Sequence, residues 1–249
     1  MLFSKRILFL ASLIIGFCII TTSRAGDLAE LQVIGFSPNG EYFAFEQYGI
    51  QDGSGFPYSD IFIINTASDT WIPGTPIRVV INDESSSLSA ARDISAQRAT
   101  PLLSQFNISQ PAHPLLNHLV KQDDNSTGQF NIKIEKTKST NTSESREYFL
   151  NLKQWEIKEA RCQDYGMVPK LFRLSISPAN QNQSSTRILH EDSALPRSRG
   201  CPLEYGIHSV LISSQDKQKT KAIAVILNVF LMGYEGRNQR FLAITSQLD

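Results

Sequence analysis

Apolar and polar residues alternate along most of this chain in short runs separated by polar turns, the pattern of β-strands that bury one face. The clearest stretch is Leu31 to Trp71. There Gly35-Phe36-Ser37-Pro38-Asn39-Gly40 sets a proline beside Asn-Gly, a turn signature, and Glu41 to Glu46 follows as an aromatic-rich strand. A Gly-rich loop from Gly49 to Tyr58 leads to a second strand, Asp60 to Asn65, then a polar turn at Ala67-Ser68-Asp69 and Trp71. Ile77 to Ile81 adds a short run. Further strands are predicted at Asn131–Lys136, Tyr148–Ile157, Lys170–Ile176, Thr186–Leu189, Gly206–Ile212, Lys221–Met232 and Arg240–Thr245. Within them Ala222 to Leu227 is wholly apolar, as expected of a central strand buried on both faces.

One region departs from this pattern. Between Asp83 and Asn107 there is no glycine, and Leu88, Ala91, Ile94, Leu102 and Leu103 fall roughly at helical spacing. Asp83 or Ser85 is placed to cap a helix start, and Thr100-Pro101 predicts a break, giving one or two helices. Pro111 and Pro114 close the region, with a further turn available over Leu115–Val120. Gln122–Gly128, Thr137–Arg146 and Asn180–Ser185 are polar loops, the second a hairpin tip; Pro196–Pro202 is a tight basic loop, and Gly233–Gly236 joins the last two strands. The expected fold is mainly β, antiparallel sheets in a sandwich-like or propeller-like arrangement, with one helical insertion near residues 83–120.

The first 25 residues stand apart. Lys5 and Arg6 precede an uncharged run from Ile7 to Ile20, and Ser23-Arg24-Ala25 puts small residues at −3 and −1 before Gly26, the layout of a signal peptide cut after Ala25. The run is short of the roughly 20 residues a spanning helix needs, so no stable membrane anchor is expected after cleavage. An uncleaved N-terminal tether is the alternative. The expected organisation is a signal at 1–25, one mainly-β domain at 26–249, and a periplasmic or secreted location. Cleavage leaves 21 basic against 24 acidic side chains, a net charge of −3, which gives no electrostatic reason to expect nucleic acid. Cys18 lies within the signal. Cys162 and Cys201 remain, an even pair in an oxidising compartment; the expectation is a disulfide, the alternative two separate buried thiols. Closing about 40 residues adds roughly 4 kcal/mol in the chain-entropy model.

Phe36-Ser37-Pro38-Asn39-Gly40-Glu41-Tyr42-Phe43-Ala44-Phe45, with Asp60-Ile61-Phe62-Ile63-Ile64 behind it, resembles one blade of a Tol-B or WD40-like β-propeller. The motif does not visibly recur, whereas a closed propeller repeats it. Over the mature chain, the set Tyr48–Tyr58, Arg197–Pro202 and Asn228-Val229-Phe230…Gly233-Tyr234-Glu235-Gly236 is similar to a family of predicted secreted proteobacterial proteins of unknown function. That resemblance implies a periplasmic location and supplies no catalytic residue.

Candidate chemistry is sparse. Tyr48 to Tyr58 holds three glycines, an acid and three aromatics, the make-up of a ligand groove or of a structural loop whose glycines supply positive φ. From it Asp52, Phe56 and Tyr58 are candidate binding residues, joined by Tyr234 in the last hairpin. His113 and His118 are five apart with Pro114 between; His190, beside Glu191-Asp192, and His208 are isolated, so no metal site is expected. Gly53-Ser54-Gly55 is not a nucleophile elbow, and no phosphate loop precedes a helix. Arg197-Ser198-Arg199-Gly200 either binds an anion or shapes the loop that Cys201 anchors. No catalytic residue and no cofactor is assigned. The reading is an exported, non-enzymatic protein that binds another envelope protein or an envelope glycan. The rival is a carboxylate-dependent hydrolase of envelope polysaccharide or peptide acting through Asp52 and Glu235, which needs two carboxyls roughly 5–10 Å apart in a cleft.

Overall fold

A computed structural model describes residues 26–116, 129–137, 143–178, 186–213 and 221–248. Residues 1–25, read as an export signal, and the polar segments Gln122–Gly128 and Asn180–Ser185 lie outside the described residues. The protein is mainly β, with three antiparallel sheets. The N-terminal sheet runs β1 (Glu30–Phe36), β2 (Tyr42–Ile50), β3 (Pro57–Asn65) and β4 (Thr70–Trp71), with β5 (Ile77–Val80) also on β3. The outer sheet is β7 (Gln129–Thr137), β8 (Ser143–Glu156), β9 (Lys170–Pro178) and β10 (Arg187–Glu191). Between them lies the central sheet, in the order β13 (Arg237–Leu248), β12 (Lys221–Met232), β11 (Pro202–Ile212) and β6 (His113–Leu116).

The alternation of β12 fixes this layering. Ile223, Val225, Leu227 and Val229 point one way, into a core shared with Leu150, Leu152, Phe172 and Leu174 of the outer sheet. Ala222, Ala224 and Ile226 point the other way, against Phe36, Phe43, Phe45 and Phe62 of the N-terminal sheet. Small residues stand where the opposing side chains are aromatic, so the summed volume fills the layer. The apolar run therefore is a strand buried on both faces.

The helical insertion packs on the far side of the N-terminal sheet. Helix α1 (Leu88–Gln105) lays Ala91, Ser95 and Ala99 against it, a stripe of small side chains four residues apart that lets the backbones approach. Arg92 fixes its rotation: Nε and Nη2 donate to the two oxygens of buried Glu46 at 2.9 Å each, and the guanidinium lies 3.7 Å from the centre of the Tyr48 ring.

Several expectations need correction here. Ser87, not Asp83 or Ser85, caps α1 by accepting from Ala90 N (3.2 Å); Asp83 instead accepts from Ser85 and Ser86 in the preceding turn. The helix is not broken at Pro101. That residue sits on the exposed face, where the carbonyl left without a helical partner faces solvent, while Leu102, Leu103 and Phe106 pin the last turn to Ile63, Ile72 and Ile108. Of the turn expected over Leu115–Val120, Leu115 and Leu116 instead end the strand His113–Leu116, which pairs with Val210–Ile212 of β11, and 117–120 lie outside the described residues; Pro114 is tolerated in that strand at the sheet edge. The Gly-rich loop is shorter than read: Gly49 and Ile50 pair with Tyr58 and Pro57. A Cβ on Gly49 would meet the Tyr58 hydroxyl at 2.9 Å and its ring carbons at 3.2 Å, so glycine lets that side chain lie across β2. Finally, Ser143–Arg146 belongs to β8, paired with Ile134–Thr137, and not to a hairpin tip.

Cys162 and Cys201 form a disulfide closing 39 residues. Cys162 lies on the short helix α2 (Ala160–Gln163) and packs with Leu171 and Leu195. The neighbouring Arg161 guanidinium donates to the carbonyls of Leu195, Pro196, Arg197 and Gly200, so the basic loop is held by a covalent bond and a cluster of hydrogen bonds.

Candidate functional site

A cleft of about 580 Å³ opens along the free edge of β13. Its first wall is the inner face of the N-terminal sheet, where period-2 alternation presents Phe45 and Gln47 from β2 and Tyr58, Asp60, Phe62 and Ile64 from β3. β13 forms the floor with Phe241 to Ile244. The second wall is His190 of β10 together with the disulfide-held loop, through Pro196, Ser198, Arg199 and Gly200. Trp71, Arg78 and Val80 stand exposed at the mouth.

Polar groups in this cleft are organised by three anchors. Asp27, almost fully buried, accepts from the Tyr58 hydroxyl at 3.0 Å and pairs with Arg240, whose guanidinium lies 4.7 Å from the Tyr58 ring centre. Burial, with Asp27 beside it, raises the Tyr58 hydroxyl's pKa, so it stays a proton donor. Gln47 is the second anchor: Oε1 accepts from Phe241 N (2.9 Å) and Nε2 donates to Asp60 Oδ2 (3.1 Å). The main-chain donor dictates which way the amide points. Burial raises the pKa of Asp60, with Gln47, Arg78 and Arg240 pulling it back.

The third anchor ties the three sheets together. Asp69 Oδ1, in the β3–β4 turn, accepts from Thr245 N (2.7 Å) and Thr245 Oγ1 (3.0 Å) of β13. Its other oxygen lies 3.5 Å from His190 Nδ1, and His190 Nε2 is 3.0 Å from Asp192 Oδ1. Asp192 Oδ2 accepts in turn from Arg199 Nη1 (2.7 Å) and Phe172 N (3.1 Å). Burial alone would lower the His190 pKa, but the two carboxylates reverse this and push it up to about 9. Burial likewise works against the Asp192 charge, and His190 and Arg199 overcome it, leaving its pKa lowered. With its pKa raised, His190 is held as a cation between the Asp69 and Asp192 carboxyl groups.

The residues singled out from sequence are placed as follows. Asp52 is half-buried, and its Oδ2 accepts from Glu235 N (3.3 Å), so the β2–β3 and β12–β13 hairpin tips meet; the Glu235 side chain itself is exposed. Phe56 is half-buried, with its carbonyl accepting from Gln51 N (2.9 Å). Tyr58 is buried and lines the cleft, whereas Tyr234 is 92% exposed on its hairpin tip. The basic loop reaches the cleft as well, with Arg199 facing inward on Asp192. Gln47, Asp60, Asp69, His190 and Arg240 were not singled out. A signal existed for two of them: Gln47 shares the face of Phe43 and Phe45, and Asp60 that of Phe62 and Ile64, so each is a polar residue on a core-facing stripe. His190 read as isolated because its partner Asp69 is 121 positions away in sequence. Among the described residues, no cluster of three or more His, Cys, Asp or Glu side chains is placed to hold a metal ion. Nor is any helix among them long and apolar enough to cross a membrane.

This layered, disulfide-bonded β architecture belongs with export. A family model described as predicted secreted protein (DUF2259) matches residues 44–247, a span that runs from within β2 and takes in strands of all three sheets. The chain belongs to that family, whose function is unknown. Neither a curated protein nor a solved structure matches it.

Proposed function

We propose that this is an exported, non-enzymatic binding protein whose ligand seat is the cleft along β13, and that its partner is a component of the cell envelope met in the periplasm. The observation that carries the reading is the make-up of the cleft. Its volume of about 580 Å³ falls within the range of roughly 300–1,000 Å³ typical of ligand sites. Its walls are aromatic and aliphatic, and several of its charged groups, Asp69, His190, Arg199 and Arg240, are already engaged with partners. Such groups orient and select; they do not leave a nucleophile beside a free base. Tyr58 belongs to this seat directly. Asp52, Phe56 and Tyr234 lie on or beside the hairpin tips and extend the recognition surface outward.

The test is site-specific photo-crosslinking in the exporting cell, with the probe at Val80 on the cleft mouth or at Gln97 on the outward face of α1. A discrete adduct at Val80 that is absent at Gln97 and lost with Trp71→Ala is expected. Equal labelling at both positions, or none at Val80, overturns the reading.

A further inference from the structure

We propose that the cleft takes a short extended peptide segment, docked strand-fashion on the open edge of β13 at Ala243; this rests on the binding role above and names the ligand's class. β13 pairs with β12 in unbroken register from Arg237 to Leu248, so alternate residues turn their main-chain groups outward, away from that ladder. The outward N–H groups can be followed one by one. Gln239 N donates to Asp27 O (2.9 Å), Phe241 N to Gln47 Oε1 (2.9 Å) and Thr245 N to Asp69 Oδ1 (2.7 Å). Ala243 is the remaining member of this alternation between Phe241 and Thr245, and it lines the cleft. It is only 5% exposed, yet among the described residues no hydrogen bond reaches its outward N–H or C=O. Buried main-chain groups are paired in the great majority of cases, so an open donor and acceptor on one residue, facing a cavity, mark a place where something else completes the pairing.

The same edge already shows what kind of chain it accepts. Leu28 bridges to Gln239 in parallel, with Ala29 N donating to Gln239 O (3.1 Å), before the chain leaves the edge at Glu30 to begin β1. Beyond that point Gln47 and Asp69 cap the edge on either side of Ala243 through side chains, which keeps the open stretch short. From Phe241 to Thr245 it spans about 13 Å at about 3.3 Å per strand residue. An extended peptide presents an N–H and a C=O together at every second residue, which is what one open residue of an edge strand requires. Its side chains would fall alternately toward Phe62 and Ile64 on one wall and toward the disulfide-held loop on the other.

The probe is a pool of acetylated, amidated hexapeptides of mixed sequence offered to the exported protein, with retained members identified by mass spectrometry and resynthesised with single main-chain N-methyl groups. Strand docking predicts a loss of about tenfold in affinity when the methyl falls on a residue facing β13, and little change on the residues between. Retention of no peptide, or an equal response at every position, overturns the proposal. Ala243→Pro deletes the open N–H without touching the β12 ladder, and an equal loss of about tenfold is expected for the same peptides. If that variant unfolds, the alternation in the methyl scan still decides. A cleft that crosslinks a glycan or lipid and retains no peptide overturns peptide docking and leaves the binding role standing. No adduct and no retained peptide overturns both.

Discussion

The two faces of the central sheet have opposite characters. Toward the outer sheet, β12 presents Ile223, Val225 and Leu227, all fully buried in a core of aliphatic side chains joined by Phe172 and Tyr205. Toward the N-terminal sheet it presents alanines, and the space they leave is filled by phenylalanine rings, by buried Gln47 and Tyr58, and at the rim by the cleft. The first face is mainly apolar packing, with Asp192 and Arg199 at its margin. The second buries Gln47 and Tyr58, which reach β13 through Phe241 N and through Asp27 with Arg240. Stability should therefore depend most on the first face and recognition on the second.

The sharpest way to break this contrast is at the closed face. Removing the disulfide with Cys162→Ser and Cys201→Ser together is expected to cost about 4 kcal/mol, read from the shift in urea midpoint between oxidised wild type and variant. Leu227→Ala, which empties a fully buried site between two sheets, is expected to cost about 3 kcal/mol in the same measurement. Trp71→Ala on the open side is expected to cost about 1 kcal/mol or less, since the ring is 41% exposed, while abolishing the Val80 adduct. Comparable losses from Leu227→Ala and Trp71→Ala would remove the distinction.

Two smaller effects sharpen it through pH. His190 binds its proton more tightly in the folded protein, with a pKa of about 9 against an ordinary value of 6.5. Its contribution is fully present below about pH 6.5 and is lost as pH rises through 9, because the folded state then holds the extra proton that the unfolded chain has released. The melting temperature of the wild type should accordingly fall between pH 6.5 and 9, and that of His190→Gln should fall less. The smallest effect concerns Asp60. Burial raises its pKa, so ionisation at neutral pH opposes folding, and Asp60→Asn is expected to melt slightly higher than wild type at pH 7, with the gain vanishing near pH 4.

Much of the architecture was legible in the residues themselves. The turn Ser37-Pro38-Asn39-Gly40, the Asp60–Asn65 strand and the apolar run of β12 each state their period locally, and Cys162 with Cys201 are the two cysteines left outside the signal region. The misreadings share one cause. Pro101 inside a helix, Pro114 inside a strand and the polar residues of Ser143–Arg146 all go against local propensity; Pro101 is carried by exposure on one face, Pro114 by pairing with distant β11, and Ser143–Arg146 by pairing with the preceding strand β7. For the cleft, only Tyr58 and the basic loop were picked out. Gln47 and Asp60 left the faint mark of a polar residue on an apolar stripe and His190 only its neighbour Asp192, whereas Asp69 left none.

By itself the sequence determined the strands, the helical insertion, the choice of cysteines and the two-faced burial of β12, because these depend on period, turn chemistry and composition over a few residues. The tertiary structure alone decided that β12 separates two unlike cores, that Asp69 and His190 meet, and that Ala243 faces a cavity with its main-chain groups open. Those are juxtapositions of segments up to two hundred residues apart, set by which sheet edges are covered and which are left free, and no local pattern encodes them.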